Sequence, residues 1–75
     1  MSEPAYVRVV RDIRGQITSG ELKPGDKLPS FSALCEHYNV SGTVIRTAML
    51  LLKAEGLLDG QQGKGVYVTD QAPKT

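Results

Sequence analysis

The stretch VSGTVIRTAMLLLKAEG, residues 40–56, decides how the rest of this sequence is read. Ser41 is suited to cap a helix, because its hydroxyl accepts from an amide of the first turn. Ile45, Ala48, Met49 and Leu52 recur at i, i+3, i+4 and i+7, the spacing of one buried helical face. Lys53 suits the negative end of the helix dipole, and Gly56 suits a left-handed C′ position. Gly42, Thr43, Arg46 and Thr47 then point the other way. That face is short, hydrogen-bonding and singly charged, and it holds no acid or base for catalysis. Such a helix suits entry into a DNA major groove. Taken alone, an ordinary amphipathic helix with a solvated polar face fits the same pattern.

Upstream, Asn39 offers the left-handed corner that a short turn between two helices requires. Val40 plugs the turn back toward the core. Ser30, directly after Pro29, is a second N-cap, so a short helix is expected to run to His37 or Tyr38 with Leu34, Cys35 and Tyr38 inward. Cys35 reads as a small buried hydrophobe and His37 as a surface residue, since neither has a positioned partner. Two helices joined by three or four residues make a helix-turn-helix. Before them, ELKPGDKLP at residues 21–29 is a structural loop turned by Pro24-Gly25 and tied inward by Leu22 and Leu28. It cradles no phosphate. A first amphipathic helix is expected from residue 6 to about 19, with Tyr6, Val9, Val10, Ile13 and Ile17 inward and Gly20 closing it. Arg8, Arg11 and Arg14 lie off that stripe, on a face read as solvated.

Downstream, Leu57-Leu58 and residues 65–69 read as two short strands, with Val66 and Val68 on one face and Tyr67 on the other. Residues 59–64, DGQQGK, form a glycine-rich tip between them. Placed directly after a groove-reading helix, that hairpin is a wing. Its glycines allow close backbone approach, and Gln62 and Lys64 can donate to a phosphate or minor-groove wall. The organisation expected is one domain over residues 1–69 and a polar tail or linker start over residues 70–75.

Composition narrows the classes. Seventy-five residues with a single cysteine permit one small core and no internal disulfide. A reduced, cytoplasmic setting is expected, with no membrane association, because no apolar run approaches spanning length and the N-terminal segment lacks a signal-peptide core. Nine basic and eight acidic residues give a net charge of +1, so any electrostatic footprint must be gathered by folding. In formal charge, Glu36, Glu55 and Asp59 cancel Arg46, Lys53 and Lys64. No carboxylate pair, metal cluster or activated nucleophile is visible, and so small a core encloses no substrate pocket. An enzyme, a metal site and a cofactor are therefore not expected.

GELKPGDKLPS, NVSGTVIRTA, LKAEGLL and QGKGVYV, in that order, resemble the DNA-binding domain of the GntR family of bacterial transcriptional regulators. The resemblance covers about residues 6–68. It implies a winged helix-turn-helix, mainly α with a small β-hairpin, made of three helices and a two-stranded wing. It also implies a homodimer on pseudo-palindromic operators in double-stranded DNA, usually acting as a repressor. The family places arginines where this chain has Ser32 and Gly42, and a third where it has Arg46. The following threonine pair is represented by Thr43 and Val44, and the wing pattern by Gln62, Gly63, Lys64 and Gly65. Candidate DNA-binding residues are therefore Ser32, Ser41, Gly42, Thr43, Arg46, Thr47, Gln62, Gly63 and Lys64. With two of three arginines replaced, the operator is expected to differ from the commonest family sites. The family normally adds a C-terminal effector-binding and dimerising domain, which this chain is too short to include. A winged helix that binds protein is the alternative. It is motivated by the charge balance and by Leu50 and Leu51, where the family carries polar residues; Leu50 falls opposite Ile45 and suits cover by another protein surface.

Overall fold

The first element, α1 (Ala5–Ser19), lies against α3 (Gly42–Ala54), and α2 (Phe31–Tyr38) packs on α3 from the turn that joins them. The hairpin of β1 (Leu58–Gln61) and β2 (Gly65–Val68) follows. This computed structural model describes residues 3–61 and 65–69. The two strands are antiparallel, with Leu58 opposite Val68 and Gln61 opposite Gly65. β1 thus starts one residue later than the expected pair Leu57-Leu58, leaving Leu57 in the bend before it, and runs on to Gln61. Asp59 and Gly60 are poor strand formers, but they are held in the ladder opposite Tyr67 and Val66. What remains of the expected tip, residues 62–64, lies outside the described residues, as do residues 70–75.

The helices end where their capping residues sit. Ser30 Oγ accepts from the Ala33 amide and Ser41 Oγ from the Val44 amide. Asn39 adopts φ 55° and ψ 53°, the left-handed corner between α2 and α3. Gly20 and Gly56 close α1 and α3 with φ 91° and 81°. α1 begins one residue before Tyr6 and passes through Gly15 unbroken.

The core comes from the expected stripes. Val9 and Ile13 of α1 meet Ile45 and Leu52 of α3, all essentially inaccessible. Leu28, Leu34, Leu57, Leu58 and Val68 close it, with Leu22, Cys35, Val40 and Val66 half-buried against its edge. Tyr38 ties α1 to α2: its phenol donates to the Asp12 carboxylate, which also accepts from Gln16 Nε2 at 2.9 Å. Partial burial, helped by the bond to Asp12, pushes the Tyr38 phenol well above the usual tyrosine range.

The proline-glycine loop does more than connect. The Gly25 amide donates to the Val68 carbonyl at 2.8 Å, Val68 to Asp26 at 2.9 Å and Leu28 to Val66 at 2.9 Å. Lys27 bridges Tyr67 in antiparallel fashion. The loop therefore runs along the outer edge of β2 and covers it. Gly25, with φ 91°, provides the bend that brings it there.

Candidate nucleic-acid interface

α3 exposes Thr43 and Arg46 beside the half-buried Gly42 and Thr47. At about 100° per residue the exposed side divides into two strips. Thr43, Thr47 and Leu50 lie within about 60° of one another, opposite the buried face. Gly42, Arg46 and Lys53 lie within about 40° on the flank next to Met49. Among the described residues, Arg46 pairs with no carboxylate, so its guanidinium is available to a partner.

Two of the candidate hydroxyls are already engaged. Ser41 Oγ holds the helix cap, at 3.4 Å from the Val44 nitrogen. Thr47 Oγ1 donates to the Thr43 carbonyl at 3.0 Å, so it presents a methyl group and an acceptor outward. Thr43 is exposed, and its hydroxyl has no hydrogen bond among the described residues. Ser32 is exposed in the first turn of α2. The structure thus brings Ser32, Ser41, Gly42, Thr43, Arg46 and Thr47 to the ends and outer sides of adjoining helices. Gln62, Gly63 and Lys64 lie outside the described residues.

Folding also redistributes charge in a way the formal sum hid. Glu55 does not serve its helix neighbour Lys53. It takes a bidentate bond from Arg14 of α1, at 3.0 and 2.5 Å. Arg11 pairs with Glu3. The face read as solvated therefore carries two exposed ion pairs, while Lys53 turns toward the wing. A Cβ placed on Gly60 would fall 2.6 Å from Lys53 Nζ, so the absence of a side chain there leaves the lysine its path across β1. Lys27 lies similarly over Gly65, whose Cβ position is 2.8 Å from Lys27 Cε. Lys27 and Lys53 thus flank the hairpin on two sides, and Arg46 stands on the same strip as Lys53.

Neither lysine reads from the sequence as a partner for DNA; there Lys53 is assigned only to the helix dipole. For Lys53 a signal existed, since positions 42, 46 and 53 share a helical flank. For Lys27 none did, because its placement depends on the loop pairing with β2. The exposed leucines, by contrast, follow the helical wheel: Leu50 is 60% and Leu51 41% accessible. Cys35 is half-buried and His37 exposed, edge-on to Tyr38. No group of three or more potential metal ligands occurs among the described residues, and no helix among them is long and apolar enough to cross a membrane.

A helix-turn-helix braced by a preceding helix and followed by an antiparallel hairpin is a winged helix-turn-helix. The family model for "Bacterial regulatory proteins, gntR family" matches residues 5–68, and the chain belongs to that family. The mannosyl-D-glycerate transport/metabolism system repressor MngR of Escherichia coli is 42% identical over 69 residues, covering 92% of this chain and 29% of MngR. The HTH-type transcriptional regulator LutR of Bacillus subtilis is 50% identical over 54 residues, covering 72% of this chain and 25% of LutR. The chain therefore spans under a third of the length of these relatives. Among solved structures, the AraR DNA-binding domain in complex with operator ORR3 superposes with a TM-score of 0.89 at 33% identity. That match covers 92% of this chain and 83% of the other.

Proposed function

We propose that this domain binds double-stranded DNA in a sequence-specific manner and serves a transcriptional regulator, acting as a repressor. α3 enters the major groove, where Arg46 contacts a base edge or phosphate and Thr43 and Thr47 set its register. Ser32 and the amides near Ser41 approach the backbone. Gln62, Gly63 and Lys64 meet the minor groove or its flanking phosphates. A homodimer on a pseudo-palindromic operator, and an effector-binding region elsewhere in the full protein, complete the reading. The observation that carries it is Arg46, which pairs with no carboxylate among the described residues, on the exposed side of a capped α3, in a chain of the same fold as a domain solved on operator DNA.

Selection of bound sites from random duplexes, followed by titration of the selected site, tests the proposal. Arg46→Ala is expected to lose about 1–3 kcal/mol of specific binding. Wild-type affinity in that variant would reject the assignment. Exposure of Leu50 and Leu51 favours a second reading, a winged helix that docks on protein. Salt separates the two, because phosphate contacts make DNA affinity fall steeply with ionic strength. No detectable duplex binding at low salt would leave the protein-docking reading standing.

A further inference from the structure

We propose that Phe31 is a base-reading residue whose exposed ring receives the 5-methyl group of a thymine in the major groove. The proposal rests on the DNA-binding reading above and names a specificity that reading does not contain.

Phe31 is the only phenylalanine in the chain, and it stands 44% accessible at the first position of α2. The core does not need it there, since Leu34 is the buried residue of that helix. Its ring edge lies over the start of α3. A Cβ on Gly42 would fall 3.2 Å from Phe31 Cε2 and 3.9 Å from Cζ. Gly42 and Phe31 are therefore closely apposed: a β-carbon at position 42 would require the ring edge to give by a few tenths of an ångström. The ring also lines a groove of about 360 Å³ shared with Lys27, Leu34, Met49 and Val66.

Charge indicates what approaches this surface. Arg46 and Lys53 follow Gly42 along one flank of α3, and Lys27 lines the groove with Phe31. An exposed aromatic that shares a groove with one cation, beside a helix flank carrying two more, fits an anionic partner that also offers a small apolar group. In a DNA major groove the thymine methyl is the apolar feature among hydrogen-bonding base edges, and phenylalanine is one of the side chains that meets it. Here, at the start of the groove-reading helix, an apolar contact takes the place of a guanidinium-to-guanine contact.

The test replaces each thymine of the selected operator, one at a time, with deoxyuridine, which removes only the methyl group. Wild-type protein is expected to lose about fourfold in affinity at one or two positions, the factor that corresponds to burial of one methyl-sized group. Phe31→Ala is expected to bind the thymine and uracil duplexes equally, and Phe31→Leu to retain part of the preference. Circular dichroism and thermal melting confirm that the variants fold. Wild-type indifference to every uracil would overturn the proposal, and so would a methyl preference that survives in Phe31→Ala. Equal weakening of Phe31→Ala on both duplexes would assign the ring to a sugar or to helix support, and would also overturn it. Failure to select any operator would remove the DNA-binding reading itself, an outcome distinct from specific binding without a methyl preference.

Discussion

Arg46, Lys27 and Lys53 are all exposed cations, yet position gives them different expected behaviour. Arg46 sits in the second turn of α3, three residues after Thr43, and in the proposed docking it is the cation that reaches base edges. Lys27 and Lys53 flank the hairpin and lie across glycines. Their proposed partners are phosphates. Lys27→Ala and Lys53→Ala should each weaken binding by similar factors on all sequences and reduce the slope of log K against log salt by about one unit. Filter binding or fluorescence anisotropy between about 50 and 200 mM salt would measure this. A change in the selected site, with the slope intact, would instead place the lysine at a base. The hydroxyls differ too: Thr47 is bonded to its own helix, whereas that of Thr43 has no bond among the described residues.

Each helix of the helix-turn-helix depends on a single serine for its start. Ser30 and Ser41 satisfy one orphan amide apiece, and both adopt the extended backbone that a cap requires. Ser30→Ala and Ser41→Ala should each destabilise the domain by about 1 kcal/mol, read as a lower urea midpoint with unchanged slope. The two losses should add, because they serve different helix ends. Ser41→Ala should also weaken DNA binding beyond its effect on stability, by loosening the turn that carries Thr43. The hairpin is supported from outside its own sequence, since three backbone bonds from the 25–28 segment hold the edge of β2. A two-stranded ribbon alone is marginal in water, and this third edge gives the wing a fixed base.

At the scale of the whole molecule, one small core supports everything. Leu52 is fully buried where α1, α3 and the hairpin converge. Leu52→Ala is expected to cost about 2–5 kcal/mol, a large share of the total stability of so small a domain. Thermal melting should show partial unfolding near room temperature or a sharply lowered midpoint. Tyr38 joins α1 to α2 by a polar tie, and its phenol titrates above its unfolded value. Its stabilising contribution is complete below about pH 10 and is lost as pH rises further. Tyr38→Phe should therefore be less stable than wild type by about 1 kcal/mol at neutral pH, with the difference shrinking above about pH 10. Denaturant curves at several pH values would check this. A constant difference from pH 7 to 11 would contradict the assigned tie. The exposed Arg14–Glu55 pair, by contrast, should contribute little, and Arg14→Ala should cost no more than about 1 kcal/mol.

What the sequence determined by itself is local and periodic. The stripes of α1 and α3, the serine caps, the Asn39 corner and the glycine stops are each set within about four residues by helical spacing and backbone sterics. From them the three helices and the hairpin can be read before any coordinates. Tertiary structure alone decided which distant groups meet. Glu55 turns to Arg14 across 41 positions, the 25–28 segment becomes an edge of the wing, Lys53 reaches over Gly60, and Phe31 lies against Gly42. No periodicity encodes such meetings. Charge pairing and close contact depend on distances through space, and these exist only once the core has brought the elements together.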